Sequence, residues 1–175
     1  MLTDKEYVPV LRWKQAEWLA LRFLGEDVRG RITPLLEIPP SCFAPREKET
    51  TVDIHSRLDA AVRQIARSWG DRPFFLELSL LKGMGDAANS QLLVDAEQLC
   101  RERSLRMIPV TGLGRGSAYQ DAVRECAGKS DHLCLRIGCA EARSAAIDRV
   151  FGAGERRAGG PLRYLEVSSP EARSH

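Results

Sequence analysis

The chain has 175 residues, with 26 basic side chains against 24 acidic ones and a formal charge of +2. This length fits one domain with a sizeable core, and 43% hydrophobic with 29% charged residues is a globular composition. The balanced charge argues against a dedicated nucleic-acid binder, and no run of about 18 apolar residues occurs that would span a membrane. We therefore expect neither nucleic acid nor a membrane as partner.

The cysteines and histidines point to neither a disulfide framework nor a metal site. The five cysteines are an odd number, they form no C-x-x-C pair, and no His and Cys group has zinc spacing. We therefore expect reduced thiols and a cytoplasmic protein. No nucleotide-binding fingerprint occurs, so we predict no cofactor.

Strands and helices alternate in the hydrophobic pattern from the first residues onward. Residues 7–13 predict a short strand, and residues 15–24 carry apolar side chains at helical spacing. Residues 31–38 predict a second strand, which a Pro-Pro pair ends because proline lacks a ladder donor. Residues 41–51 are polar and predict a loop.

The same alternation continues through the rest of the chain. The predicted elements are a helix at 53–69, a strand at 73–80, a helix at about 86–103, a strand at 106–111, a helix at 117–127, a strand at 132–137, a helix at about 140–151 and a possible strand at 162–167. Helices between consecutive strands imply parallel pairing with right-handed crossovers.

Two α/β architectures fit this pattern, a doubly wound sheet and a barrel. Each short strand ends in a polar residue before its loop, which favours a barrel with its active face at the strand C-termini. A complete eight-fold barrel usually needs about 250 residues. We therefore predict a partial TIM-like (β/α) barrel of five to six βα units over residues 1–151. Residues 152–175 follow as a Gly/Arg-rich linker, the possible sixth strand and a polar tail.

Charged side chains at the predicted strand ends are the candidate catalytic residues, namely Lys14, Glu37, Glu77 and Arg136. Glu37, Glu77 and Arg136 lie within apolar runs, and buried charges need partners. In one interpretation Glu37 or Glu77 is a general acid or base, and Lys14 and Arg136 hold an anion. In the other, the same residues form a structural ion-pair network. Glu37 and Glu77 give at most two carboxylates, which are enough for a weakly held magnesium ion, and we predict no metal site from them.

A glycine-rich loop from Thr111 to Ser117 is the second candidate site. Its alternating glycines would let backbone N–H groups approach a phosphate at the start of a helix. The residues that would bind the ligand are Thr111, Gly112, Gly114, Arg115 and Ser117. The alternative is a plain turn with Ser117 as the N-cap of the helix.

Two stretches of the N-terminal third resemble a known family. The run Tyr7–Glu17 resembles the opening of the bacteriophage beta protein family, with a Tyr-x-Pro strand and a Lys-x-Gly-Glu turn, although Ala16 stands where the family often has glycine. The run Ile32–Ile38 resembles its Pro-x-x-Glu-Ile second strand. The resemblance covers roughly residues 5–140 and implies a TIM-like barrel of about twice this length.

The positions that match the family's recurrent motifs are Lys14, Glu17, Glu37, Glu77 and Arg136. We add Glu17 to the ligand-binding candidates on this ground. Their roles are inferred from residue chemistry, since the resemblance carries no activity with it.

Two functions remain open. One is an enzyme or binding protein for an anionic small molecule, in a phage or defence context. The other is a non-catalytic phage–host interaction protein that uses the barrel as a binding surface.

The unclosed barrel also predicts a partner. Open strand edges favour self-association or a second protein. Some side chains would then face a partly open interior. Depending on the strand register, they belong to Val8, Val10, Leu36, Phe75, Leu76, Ile108 and Leu135.

Overall fold

The computed structural model describes residues 7–44, 53–78, 81, 85–130 and 132–137, and the backbone of 163–166. The strands in these residues are β1 Val10–Arg12, β2 Leu35–Glu37, β3 Phe74–Glu77, β4 Met107–Thr111, β5 Cys134–Ile137 and β6 Arg163–Glu166. The helices are α1 Gln15–Phe23, α2 Glu26–Arg29, α3 Ile54–Trp69, α4 Asp86–Glu102 and α5 Ser117–Ser130. The helix predicted over 140–151 and the boundary predicted after 151 lie outside the described residues.

The described strands form one sheet in chain order, and every neighbouring pair is parallel. A doubly wound sheet would need the strand order to reverse at a switch point, so this order excludes that alternative. Right-handed crossovers between successive neighbours put the helices on one face, and the sheet twist curls the strands around the other. The predicted partial barrel is confirmed, and β6 confirms the possible sixth strand.

Local sequence chemistry sets the ends of the main helices. The carboxylate of Asp53 accepts a hydrogen bond from Ser56 N at 3.2 Å at the start of α3, and Gly70 follows its last residue with a φ of 80°. Two short elements were not predicted, namely α2 and a 3-10 helix at Pro40–Phe43. Phe43 is buried, so this turn packs onto the domain instead of forming part of a polar loop.

None of the described helices is both long enough and apolar enough to cross a bilayer.

Alternation along the strands divides their side chains between two cores. Leu36 and Leu76 pack on the helix side of the sheet, so the observed register removes them from the candidates for inward side chains. The inward cluster consists of Leu35, Phe75, Val110 and Cys134. These four residues are at most 1% exposed. They are buried on the inner face, whereas Val10, the register partner of Leu35, is 36% exposed.

Candidate functional site

The C-terminal ends of the first three strands carry three charged residues in one row. Strand register pairs Arg12 with Glu37, and Glu37 with Glu77. Each glutamate follows an inward residue, Leu35 or Phe75, by two positions, so alternation directs its side chain to the same inner face. This is the end of the strands at which (β/α) barrels place their active sites.

Arg136 enters this row from β5 and bridges the two carboxylates. Its Nη1 donates to Glu37 Oε1 and to Glu77 Oε2, both at 2.5 Å. The side chain of Arg136 is 22% exposed, against 8% for Glu37 and 0% for Glu77. Burial alone would lower the pKa of Arg136, but the hydrogen bonds and charges of the two glutamates outweigh it and raise the pKa above its ordinary value. The guanidinium therefore stays charged.

Glu77 is engaged through both of its oxygens. Its Oε2 accepts from Arg136, and its Oε1 accepts from Nη2 of Arg115, whose side chain is 19% exposed. This carboxylate is fully buried, and each of its two oxygens already accepts a hydrogen bond from a guanidinium. Neither oxygen therefore needs water or a ligand as a partner. Glu77 therefore positions the two arginines.

Glu37 is held less completely. Its Oε1 accepts from Arg136, whereas its Oε2 is 3.8 Å from Nε of Arg12, which is longer than a hydrogen bond. The Arg12 side chain is 63% exposed, so this contact competes with solvent. Oε2 of Glu37 is thus the carboxylate oxygen of this group with the most capacity for a new partner.

Five residues make up this group, which we call the mouth cluster, namely Arg12, Glu37, Glu77, Arg115 and Arg136. Three positive charges against two negative ones leave a net charge of +1. Nε of Arg115 is buried and has no hydrogen-bond acceptor among the described residues. Arg136 uses Nη1 for both glutamates, and no described residue accepts from its Nε or Nη2. The cluster therefore has guanidinium N–H donors that no described residue accepts from.

The glycine-rich loop contains Arg115 and positions its side chain in this cluster. Arg115 N donates to Gly112 O at 3.3 Å, and Gln120 Nε2 donates to Arg115 O at 3.1 Å, so both ends of the turn are held. A Cβ at Gly112 would lie 3.0 Å from Arg136 O and 3.7 Å from Arg115 Nε. Glycine at this position thus lets Arg115 lie close to the end of β5.

The start of α5 already has a carboxylate beside it. A Cβ at Gly116 would overlap the side chain of Asp86, which therefore lies directly against this glycine. A negative charge at a helix N-terminus is favourable. Ser117 is the first residue of α5 rather than its N-cap, and it is exposed.

A comparison with family models identifies the family of this chain. The model described as Beta protein matches residues 7–156, which include the whole mouth cluster. The chain belongs to the Beta protein family. No curated protein and no solved structure gives a significant match. The family resemblance inferred from the strand-end motifs is confirmed.

The other predicted site residues of this Beta protein are not members of the mouth cluster. Lys14 is exposed at the start of α1, and its N–H donates to Arg12 O at 2.7 Å. Glu17, one turn into α1, has a buried Oε2 that accepts no hydrogen bond. Thr111 lies one position after the inward residue Val110, so alternation directs it to the helix side, where its Oγ1 is buried without a partner. The structure therefore does not bring Thr111 into the cluster, and Gly114 is an exposed residue of the turn.

Sequence reasoning missed two features of the mouth cluster. Arg12 is one of the polar residues at the predicted strand ends, but it was not chosen as a site residue, although its spacing from the inward residues Val8 and Val10 would have supported that choice. Arg115 was assigned to a phosphate-binding loop, whereas the structure pairs it with Glu77. Nothing in the sequence reveals that pairing, because 38 residues separate the two side chains.

Cys134 lies below the cluster on the inner face of β5. Burial, with a further contribution from the negative charge of Glu77, raises the pKa of its thiol to about 12. It therefore stays a neutral thiol at ordinary pH and does not supply a nucleophile. No group of three His, Cys, Asp or Glu side chains in the described ranges could hold a metal ion.

A separate cavity of about 390 Å³ lies between α3 and α4. Asp53, His55, Gln91 and Asp95 contribute its polar lining, and His55 Nδ1 is 3.2 Å from Asp95 Oδ2. That oxygen accepts no hydrogen bond, so the proximity is a charge contact at most. The cavity contains no residue of the mouth cluster.

Proposed function

We propose that the mouth cluster binds the anionic group of a small-molecule ligand. The observation that carries this proposal is the surplus of guanidinium donors, since three arginines surround two carboxylates. The buried Nε of Arg115 lacks an acceptor in the part of the chain that the structure describes, and a phosphate or carboxylate oxygen would satisfy it. Lys14, which is exposed and follows the last residue of β1 by two positions, adds a further cation at the same end of the strands.

The unequal partnering of the two glutamates suggests different roles in a hydrolytic reaction. Glu77 keeps Arg115 and Arg136 in place. Glu37 is the acid–base group, acting through its Oε2, which among the described residues only the exposed Arg12 approaches. An anion that draws Arg12 towards itself would leave this oxygen free to exchange a proton with the substrate or a water.

A second candidate function is a non-catalytic phage–host interaction protein. It is favoured by the ion pairing of both carboxylates, because a site built to bind needs no free base. In that case the same surplus cations would hold an acidic group of a protein partner. A phage or defence context is part of both candidates and rests on the family resemblance alone. A cytoplasmic location rests on the free thiols, of which the described ones are Cys42, Cys100, Cys126 and Cys134.

Anion binding can be tested by thermal unfolding in different salts. Phosphate or sulfate should raise the melting temperature more than chloride at matched ionic strength, because a ligand of the native state stabilises it by mass action. Arg12→Gln should remove much of this difference without unfolding the protein, since the side chain is 63% exposed. Arg22→Gln makes the same charge change at an exposed position near the other end of α1 and is the matched control.

The proposal fails if wild-type protein responds equally to phosphate, sulfate and chloride. It fails too if Arg22→Gln changes the response as much as Arg12→Gln does. Glu37→Gln then separates the two functions. In the enzyme it abolishes turnover of a responsive phosphate monoester or diester but keeps anion binding, whereas an interaction protein turns over no ester in any variant.

A further inference from the structure

Hydrogen-bond donors and one acceptor lie side by side in the mouth cluster. Nη1 of Arg136 donates to Oε1 of Glu37 at 2.5 Å, so this guanidinium and this carboxylate are in direct contact. Nε and Nη2 of Arg136 meet no acceptor among the described residues. Oε2 of Glu37 is 3.8 Å from Nε of Arg12, which is beyond hydrogen-bond distance. A ligand at this place therefore meets both free donors and a free acceptor.

A simple anion matches only the donors. Its oxygens accept from the guanidiniums, but beside Glu37 they bring negative charge against negative charge. The ligand also displaces water from this carboxylate, whose side chain is only 8% exposed. An ionised oxygen that loses its water and gains no donor is unfavourable. A ligand that matches the whole site therefore carries a hydrogen-bond donor next to its anionic group.

The number of free donors favours phosphate over carboxylate as that anionic group. Nε of Arg115 is buried without an acceptor in the described part of the chain, and Arg136 has two further nitrogens without one. Glu77 holds both guanidiniums, so these donors belong to one site. A carboxylate has two oxygens to offer them, whereas a phosphate monoester has three terminal oxygens.

Of the two glutamates, only Glu37 is able to accept from the neighbouring donor of the ligand. Both oxygens of Glu77 already accept from guanidiniums. The side chain of Arg12 is 63% exposed, so a ligand donor at Oε2 of Glu37 replaces a solvent-screened contact and no hydrogen bond.

We propose that the mouth cluster is specific for a phosphate monoester with a hydroxyl group close to the phosphate, as in a polyol or sugar phosphate. The phosphate oxygens accept from Arg115 and Arg136, and the hydroxyl donates to Oε2 of Glu37. This inference rests on the proposed anion site. It makes Glu37 the residue that distinguishes a hydroxylated ester from a plain one.

Isothermal titration calorimetry with two esters of the same carbon skeleton tests this specificity. β-Glycerophosphate and isopropyl phosphate have the same charge and differ only in their hydroxyl groups. Wild-type protein should bind β-glycerophosphate with a Kd about tenfold lower, because the hydroxyl gains a hydrogen bond to a charged carboxylate. Glycerate, a hydroxylated carboxylate, should bind more weakly than β-glycerophosphate.

Three variants assign the discrimination to Glu37. Glu37→Gln should reduce the ratio of the two ester Kd values to about threefold or less, because a neutral partner bonds about half as strongly. Glu26→Gln is the matched control, since Glu26 is 77% exposed and outside the cluster, and it should keep the wild-type ratio. Arg12→Gln retains Glu37 and should also keep the ratio, which tests the assignment even if Glu37→Gln does not fold.

The outcomes separate this inference from the proposed function. Equal binding of the two esters by wild-type protein overturns the inference and leaves the anion site standing. If neither ester nor inorganic phosphate binds, the anion site itself is refuted and the inference with it. The inference is also overturned by a wild-type ratio in Glu37→Gln, by loss of the ratio in Arg12→Gln, or by tighter binding of glycerate than of β-glycerophosphate.

Discussion

The sharpest test of the mouth cluster compares Glu77→Leu with Glu37→Leu. Each substitution replaces a buried carboxylate with an apolar side chain of similar volume, so the main effect is electrostatic. Removing Glu77 takes away the one partner that holds both Arg115 and Arg136. Removing Glu37 leaves Arg136 paired with Glu77.

The structure gives a different magnitude for each variant. Removing one partner of a buried ion pair costs about 3–5 kcal/mol, and we expect this range for Glu77→Leu because Glu77 is 0% exposed. Glu37→Leu loses one hydrogen bond at 2.5 Å and a 3.8 Å contact to exposed Arg12. A charge-assisted bond contributes about 1.5–3 kcal/mol, and an exposed ion pair rarely more than about 1 kcal/mol. We therefore expect about 2–3 kcal/mol for Glu37→Leu.

Urea unfolding measured by tryptophan fluorescence can resolve this difference, since Trp13 and Trp69 are buried and report on the core. Glu26→Leu is the control, because Glu26 is 77% exposed and pairs with Arg72 at the surface. Glu26→Leu should lower the free energy of unfolding by less than about 1 kcal/mol. The reasoning is refuted if Glu37→Leu costs more than Glu77→Leu, or if Glu77→Leu costs no more than the control.

Three further predictions follow from individual contacts. Gly112→Val should cost roughly 1–3 kcal/mol in urea unfolding, because its Cβ would lie 3.0 Å from Arg136 O; an unchanged midpoint would contradict this contact. Burial, with smaller contributions from neighbouring charges, raises the pKa of Cys100 and Cys134 from 9.0 to about 12. The stability that these neutral thiols contribute is therefore complete below pH 9 and is lost as pH rises towards 12. Cys134→Ala should flatten that decline in a pH series of melts, and an identical slope would show that the thiol does not titrate as inferred. Asp53→Ala should cost about 1 kcal/mol by removing the N-cap of α3, and an unaltered melting temperature would show that the cap contributes nothing.

Much of the fold could be read from the sequence, because its signals are local. The stripe of apolar residues in α3 and the glycine after it mark a helix and its end within a few turns of chain. Strand-end charges such as Glu37 and Glu77 stand out because a carboxylate inside an apolar run needs a buried partner. The short turn at Pro40–Phe43 escaped notice, because the burial of Phe43 against the domain is a tertiary contact that the local sequence pattern does not show.

The amino-acid sequence by itself determined the alternation of strands and helices, the parallel pairing, the family and most of the charged residues at the strand ends. Only the tertiary structure decided between a barrel and a doubly wound sheet, because strand order depends on which distant strands pair. It also decided that Leu36 and Leu76 face the helices, since a shift of one residue in register exchanges the two faces of a strand. The pairing of Arg115 with Glu77 was decided in the same way, because the curl of the sheet brings a loop after β4 over the end of β3.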